Sequence, residues 1–307
     1  MFHNLASRAI FSLSAPSFLH LLRALRLHLN YHTLMIRRRT FLASSLAAVF
    51  SCGSYSALLE PHELRVESVR ARIGRLPGAL DGFRVVGLSD FHLYPFTQMS
   101  FLKRAIATAS ALSPDLVVLL GDFVDSTVEA IEELAPALAG LKSRCGVFAV
   151  LGNHDHLKGA GFVVKTLRRH GIQVLVNESV LVPVGRSGLV VAGTDSLTGR
   201  FNMSEALQAC RPEVPTLLLA HEPDVADAVA SDGRVALQLS GHSHGGQVRF
   251  AGLERLLLPA GGRKYPYGTY EVGGLTLHTS RGLGTTGLPL RLGSLPEVTE
   301  VILTPRI

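Results

Sequence analysis

The chain has 307 residues, of which 47% are hydrophobic and 18% are charged, with 30 glycines and 15 prolines. This composition excludes a charged disordered protein, a collagen and a coiled coil, and the length is enough for a sizeable buried core. The three cysteines, Cys52, Cys145 and Cys210, are too few for a disulfide framework or a four-cysteine zinc site.

The excess positive charge lies in the N-terminal part of the sequence. Residues 1–59 contain six of the thirty basic residues and no acidic residue, which leaves 24 basic against 24 acidic side chains in the rest of the chain. A nucleic-acid-binding surface needs its positive charge on the folded domain. The neutral remainder therefore argues against nucleic acid as a partner.

The basic leader has the layout of an export signal. Arg37-Arg38-Arg39 precede an apolar stretch of about ten residues that ends at small residues around Cys52. Arginines followed by Thr-Phe-Leu resemble a twin-arginine signal, which exports proteins that are already folded. An amphipathic surface helix or a short membrane anchor is the alternative, because the stretch is too short for a comfortable transmembrane helix.

The start and the processing of this leader stay open. Met35 lies two residues before the arginines and is an alternative start of the protein. The residues before Cys52 loosely match a lipoprotein cleavage box, in which Cys52 would be acylated. We expect a leader over residues 1–61 and a protein that is membrane-associated or exported to the envelope of a bacterium, with the cytoplasmic face of the membrane as the alternative.

From Gly82 onward, short apolar runs alternate with stretches of helical periodicity. The predicted helices are Ser100–Leu112 and Ser126–Ser143. The predicted strands are Phe83–Leu88, Leu116–Leu120, Gly146–Leu151, Leu189–Ala192, Thr216–Ala220, Ala236–Leu239, Leu275–His278 and Val298–Leu303. This alternation predicts an α/β architecture with covered sheets. Because no repeat or low-complexity linker interrupts it, we expect residues 62–307 to form one domain.

Polar side chains that bind metals directly follow five of these strands. They are Asp90 and His92, then Asp122, then Asn153, then His221, and finally His242 and His244. In sheets covered by helices, ligands bind outside the carboxyl ends of the strands. We therefore expect these side chains to meet at one edge of the fold.

The chemistry of this set indicates a metal centre. Imidazole and carboxylate ligands suit first-row divalent ions such as Mn, Fe or Zn, and the absence of thiolates argues against a structural zinc site. The set is larger than one ion needs, so we predict two divalent metal ions. Such a pair polarises a phosphoryl group and lowers the pKa of bound water toward neutrality, which supplies hydroxide for in-line attack at phosphorus.

The ordered motifs Asp-x-His, Gly-Asp, Gly-Asn-His-Asp, His and Gly-His-x-His resemble the calcineurin-like metallophosphoesterase superfamily, over about residues 80–306. The segments Gly-His-Ser-His-Gly-Gly-Gln-Val from Gly241, Lys264-Tyr-Pro-Tyr-Gly and Ser280-Arg-Gly-Leu-Gly look like a membrane-associated bacterial branch of the YkuE/YaeI type. The resemblance implies a four-layer α/β/β/α sandwich.

The resemblance also implies which residue does what. The first ion would be held by Asp90, His92 and His244, the second by Asn153, His221 and His242, and both by a bridging Asp122. His154 matches the histidine that contacts the phosphoryl group and protonates the leaving oxygen.

Three further residues surround this set. We expect Asp155 to orient His154 through a hydrogen bond, and Asp125 to lie behind the ligands rather than to bind metal. Arg281 offers a cation to the substrate phosphate or else forms a surface ion pair.

The expected reaction is hydrolysis of a phosphodiester or pyrophosphate bond at the membrane. Substrates that fit are UDP-2,3-diacylglucosamine, a phospholipid or an envelope polymer. The apolar loop 253–260 would receive an acyl chain or cap the core, and His156 and Asp195 would line the cleft or serve as loop residues. A phosphomonoesterase or protein phosphatase of the same superfamily and a non-catalytic metal-binding membrane protein are the alternatives. The oligomeric state is left open.

Overall fold

A computed structural model describes residues 15–249 and 254–306 of the chain. The chain divides into two compact units, Met1–Ser54 and Tyr55–Ile307. Residues 1–14, the start of the predicted leader, lie outside the described residues. The boundary between leader and catalytic domain that we place before residue 62 stays a prediction.

Twelve strands are found in the described residues of the second unit. In chain order they are β1 (Arg65–Ile73), β2 (Arg84–Leu88), β3 (Leu116–Leu119), β4 (Val147–Ala149), β5 (Gln173–Val174), β6 (Glu178–Val184), β7 (Ser187–Gly193), β8 (Thr216–Leu219), β9 (Leu237–Ser240), β10 (Gly268–Val272), β11 (Leu275–Thr279) and β12 (Glu297–Pro305). One six-stranded sheet has the order β1-β12-β2-β3-β4-β5 and the other has the order β10-β11-β9-β8-β7-β6. Strands β2 to β5 are parallel, and so are β7, β8, β9 and β11.

Eight helices are assigned in the described residues. They are α1 (Ala15–Leu58), α2 (Met99–Ala111), α3 (Ile131–Leu138), α4 (Asn153–Lys158), α5 (Ala160–Arg169), α6 (Met203–Ala206), α7 (Ala226–Asp232) and α8 (Glu254–Leu257). Helices α2, α3 and α5 cover the outer face of the first sheet, whereas α6 and α7 cover the outer face of the second.

Strand β3 shows how the sheets are stacked. Its four residues are all buried, because Val117 and Leu119 face the helices while Leu116 and Val118 face the other sheet. Side chains alternate between the two faces of a strand, so a strand covered on both faces is apolar throughout. The layers are therefore helix, sheet, sheet and helix, which confirms the predicted α/β/β/α sandwich.

The predicted strands are all present, with ends that differ by two residues or fewer. The predicted helix Ser126–Ser143 is wrong in extent, since α3 is much shorter. The hydroxyl of Thr127 accepts a bond from the main-chain N–H of Glu129 and starts a separate 3-10 turn before α3. The sequence does not predict strand β1. This strand lies at a sheet edge, where most of its side chains are exposed and its apolar alternation is weak.

The apolar part of the leader is longer than the sequence suggests. Within the described residues, the segment Thr40–His62 has the length and composition to cross a membrane, with 23 residues. It exceeds the expected stretch of about ten residues because α1 does not stop at the small residues but continues to Leu58. A membrane anchor and a signal sequence both meet this test.

Candidate metal centre

The five predicted strand ends meet at one edge of the sandwich. The seven predicted ligands follow β2 (Asp90, His92), β3 (Asp122), β4 (Asn153), β8 (His221) and β9 (His242, His244). Their ligand atoms lie in two neighbouring groups that share the Asp122 carboxylate.

Five of these residues have a strained backbone. Asp90, His92, Asp122, His242 and His244 all have φ between +41° and +73°. The left-handed region is sparsely populated by residues other than glycine, and each such residue costs about 1–3 kcal/mol. Strain of this kind persists where the surrounding structure imposes it, and its concentration here marks a functional site.

The glycines of the motifs allow the chain to approach itself closely. A Cβ on Gly152 would clash with the Asp122 carboxylate, and one on Gly241 would clash with the hydroxyl of Ser89. These glycines therefore let the strand ends converge on the ligands.

The first cluster consists of Asp90, His92 and His244. The Nε2 atoms of His92 and His244 lie 3.0 Å apart, and Asp90 Oδ1 lies 3.5 Å from His244 Nε2. His92 Nδ1 donates to Asp125 Oδ1 at 3.1 Å, and His244 Nδ1 donates to the carbonyl oxygen of Gly284 at 3.2 Å. A neutral imidazole donates from one nitrogen only, so the two Nε2 atoms present their lone pairs to each other.

The second cluster consists of Asp122, Asn153, His221 and His242. Asn153 Oδ1 lies 3.2 Å from His221 Nε2 and 2.8 Å from His242 Nδ1. The outer nitrogens donate to main-chain oxygens, His221 Nδ1 to Leu120 at 2.6 Å and His242 Nε2 to Ala260 at 2.8 Å. When these rings are neutral, their inner nitrogens therefore also present lone pairs to an oxygen atom.

This geometry fits divalent ions. Asp122 Oδ2 lies 3.4 Å from His92 Nε2 and 3.2 Å from His221 Nε2, so a single oxygen faces both clusters. Converging lone pairs need a cation between them, and nitrogen and oxygen donors without thiolate suit Mn, Fe or Zn. A proton on His221 can supply the same positive charge. Burial disfavours the charge, yet the Asp122 carboxylate raises the pKa of His221 well above its usual value.

His154 lies beside the ligands with its side chain partly exposed. Its Nδ1 lies 3.2 Å from Asp125 Oδ1, at ion-pair distance but not aligned as a hydrogen bond, and its main-chain N–H donates to Asp122 Oδ1 at 2.8 Å. Asp125 Oδ1 also accepts from the Thr286 hydroxyl at 2.7 Å. Asp125 therefore lies behind both His92 and His154, as a support rather than a member of the predicted ligand set.

The expectation that Asp155 orients His154 is wrong. Asp155 is fully buried, and its carboxylate accepts the main-chain N–H groups of Gly152, Asp122 and Phe123, each at 2.9 Å. It is the third residue of α4, so its side chain turns back to the helix N-terminus and ties it to the end of β3. The carboxylate beside His154 is Asp125.

The charges at this edge favour a proton on His154. Burial lowers its pKa, but the Asp125 carboxylate beside it and the Asp122 charge outweigh this and raise the pKa of His154 above its usual value. Conversely, burial and the neighbouring His92 hold the pKa of His244 well below its usual range. A protonated His154 has the form that a general acid requires.

Arg281 does not present its cation to the cleft. Its Nε donates to Glu297 Oε2 at 2.5 Å and its Nη2 donates to Glu67 Oε2 at 3.0 Å. Of the two roles expected for Arg281, the ion pair is the one that the geometry shows.

A cavity of about 270 Å³ lies over the ligands, and one wall of it is apolar. Val248, Leu257, Pro259 and Leu288 form this wall, which is here called the apolar wall. Two of its members come from the predicted loop 253–260, of which residue 253 lies outside the described residues. Val248 ends the motif segment that begins at Gly241, but the sequence analysis gives it no role, and Leu288 lies in none of the motifs, so sequence reasoning missed both as wall residues.

His156 and Asp195 pair with each other outside this cavity. His156 Nε2 lies 2.6 Å from Asp195 Oδ1, and neither side chain lines the cavity. Of the two roles expected for them, the loop role fits this geometry.

Comparisons with known proteins show the family of the chain. Residues 83–246 match the family model of the calcineurin-like phosphoesterases. The chain is 33% identical over 250 residues to "Uncharacterized metallophosphoesterase YkuE" of Bacillus subtilis, covering 80% of this chain and 87% of that protein. It is 30% identical over 271 residues to "Phosphodiesterase YaeI" of Escherichia coli, covering 86% of this chain and 98% of that protein.

Two further similarities concern a transmembrane protein and a solved structure. The chain is 32% identical over 282 residues to "Transmembrane protein with metallophosphoesterase domain" of Danio rerio, covering 87% of this chain but 63% of that protein. Among solved structures, the 5'-nucleotidase precursor from Thermus thermophilus is 16% identical, covers 72% of this chain and 54% of that chain, and has a TM-score of 0.45.

Proposed function

The chain belongs to the calcineurin-like phosphoesterase family and is a metal-dependent phosphoester hydrolase, and from this premise we propose that it holds two divalent ions and cleaves a phosphodiester or pyrophosphate bond. The observation that carries the proposal is the single oxygen, Asp122 Oδ2, that faces imidazole nitrogens of both clusters. The name of the Escherichia coli relative supports a diester as the class of substrate.

The residues around the centre have separate tasks in this proposal. The ions would be held by Asp90, His92, His244 and Asp122 on one side and by Asp122, Asn153, His221 and His242 on the other. When bound, they would polarise the phosphoryl group and supply hydroxide at neutral pH. His154 donates a proton to the leaving oxygen, and Asp125 holds the His154 ring in place and favours its charged form.

We infer that the substrate has an apolar part. Leu257 and Leu288 of the apolar wall are more than half exposed although they border a cavity lined by metal-binding histidines. Exposed apolar surface beside a catalytic centre fits an acyl chain better than a soluble monoester. UDP-2,3-diacylglucosamine and a phospholipid both combine such chains with a phosphodiester or pyrophosphate.

We propose that residues 1–61 direct the protein to the membrane, either as an anchor or as a twin-arginine signal, with Met35 as an alternative start. The apolar segment Thr40–His62 supports this, and so does the name of the Danio rerio relative. The catalytic domain would then act on envelope or membrane substrates in a bacterium.

The test uses the full chain in detergent, stripped of metal. We would assay bis-p-nitrophenyl phosphate against p-nitrophenyl phosphate with Mn, Zn, Fe or no metal added. The proposal expects metal-dependent cleavage that favours the diester. A preference for the monoester would favour a phosphomonoesterase, and two bound ions without turnover on these esters, UDP-2,3-diacylglucosamine or phospholipid would favour a non-catalytic metal protein.

A further inference from the structure

Arg291 is a completely buried cation close to the first cluster. None of its surface is exposed, and among the described residues no carboxylate lies within ion-pair distance of its guanidinium. Its Nε has no hydrogen-bond partner. Burying an arginine without a direct partner is costly, so a charge in this position requires a reason.

The guanidinium instead holds main-chain carbonyl groups. Nη1 donates to Ser294 O at 2.7 Å, and Nη2 donates to Arg281 O at 3.0 Å and to Gly284 O at 2.6 Å. The Gly284 carbonyl is also the oxygen that accepts from His244 Nδ1. Arg291 therefore fixes the acceptor that sets the tautomer and the direction of the His244 ring.

The same loop is held from the other side by the last turn of α1 and by the 3-10 turn that follows it. Ser294 donates its hydroxyl to His244 O at 2.6 Å, and its main-chain N–H donates to Glu60 Oε1 at 2.7 Å. The main-chain N–H of Arg291 donates to Ser56 O at 2.9 Å. Glu60 is almost fully buried, so this bond is shielded from water.

We propose that Arg291 is a positioning residue for His244, and that Glu60 anchors the same loop, so that the affinity of the first metal site depends on residues directly after the N-terminal helix. Arg291 holds Gly284 O at the place where only the Nδ1–H tautomer of His244 can donate to it. His244 Nε2 then keeps its lone pair for the ion. This inference rests on the metal centre of the proposed function and adds residues that none of its motifs contains.

The test compares the full-length wild type with Arg291→Met, Arg291→Lys and Glu60→Ala. A matched control is Asn177→Ala, because Asn177 is also buried and also makes three bonds to the main chain, with Arg200, Asp195 and Asn202. The readouts are Zn affinity and stoichiometry by chelator competition, and the tautomer of His244 in the metal-free protein by 15N NMR. Neither readout requires turnover.

Arg291→Met is expected to weaken one of two Zn sites by about 10- to 100-fold. It is also expected to deplete the Nδ1–H tautomer of His244. Arg291→Lys should recover part of this loss because an ammonium can still reach a carbonyl, although without the fork of a guanidinium. Asn177→Ala should lower the melting temperature and leave both readouts unchanged.

Two Zn sites of wild-type affinity in Arg291→Met would overturn the proposal, and so would an equal weakening in Asn177→Ala. If Arg291→Met does not fold, Glu60→Ala decides, with about tenfold weaker Zn binding expected and wild-type binding as the contradicting result. A wild type that binds two Zn ions without hydrolysing any ester overturns the proposed function but leaves this comparison valid.

Discussion

The two clusters of the metal centre differ in what orients their imidazoles. In the second cluster, His221 and His242 donate to the main-chain oxygens of Leu120 and Ala260. In the first cluster, His92 donates to the Asp125 carboxylate, and the carbonyl that receives His244 is held by a buried arginine. Side-chain substitutions can therefore weaken the first cluster selectively, whereas the second is supported mainly by the fold of the backbone.

The largest effect is expected from a substitution that changes both clusters at once. Asp122 serves both clusters, so Asp122→Asn should weaken both ions and lower kcat/KM by at least about 10³-fold, because the cations supply most of the charge stabilisation. Metal content and diester hydrolysis, measured on the same preparation, check this. Retention of both ions at wild-type affinity would show that Asp122 does not connect the clusters.

A second prediction separates proton donation from metal binding. His154→Ala should keep both ions and lower kcat by about 10²- to 10⁴-fold, since it removes the proposed general acid but no predicted ligand. Asp155→Asn provides the contrast, because Asp155 binds three main-chain N–H groups and should affect folding stability first. Normal turnover in His154→Ala would contradict the assignment.

These assignments show how much of the site can be predicted from the sequence. The ligands could be predicted because each one directly follows a buried apolar strand, and parallel strand ends converge. That Asp125 rather than Asp155 lies beside His154 could not be predicted, since His154 and Asp155 are neighbouring helix residues that point about 100° apart, and only the structure shows that Asp155 faces the helix N-terminus. Arg291 could not be found either, because nothing in its local sequence distinguishes a buried arginine from a surface one.

The difference between the clusters can be tested through Asp125. Asp125→Asn keeps the size of the side chain but removes the charge beside His92 and His154. We expect one ion to bind about 10- to 100-fold more weakly while the other keeps its affinity. Chelator titration distinguishes two such steps, and a parallel loss of both ions would mean that the clusters do not depend on separate supports.

The apolar wall also has a side near each cluster. Leu288 belongs to the loop that carries Thr286, the hydrogen-bond donor to Asp125, whereas Leu257 precedes Ala260, the acceptor of His242. Leu288→Asp and Leu257→Asp should each lower kcat/KM on a diacyl substrate by about 10-fold or more, since burying a leucine on an acyl chain contributes about 1.5–3 kcal/mol. Hydrolysis of bis-p-nitrophenyl phosphate is the control and should change little. Equal losses on both substrates would argue against an acyl-binding wall.

The smallest expected effect concerns the ion pair between Glu297 and Arg281, the residue whose carbonyl oxygen accepts from Arg291. The buried Glu297 contacts His278 and Arg281, and although burial opposes its charge, these partners lower its pKa to about 2. A carboxyl group with a lowered pKa stabilises the fold fully above the pKa of the unfolded chain, and this contribution is lost as the pH falls toward 2. The melting temperature of Glu297→Gln should therefore lie below that of the wild type near pH 6, and the gap should shrink by about 5 °C on acidification. A gap that stays constant with pH would show that Glu297 acts through its shape and hydrogen bonds rather than through its charge.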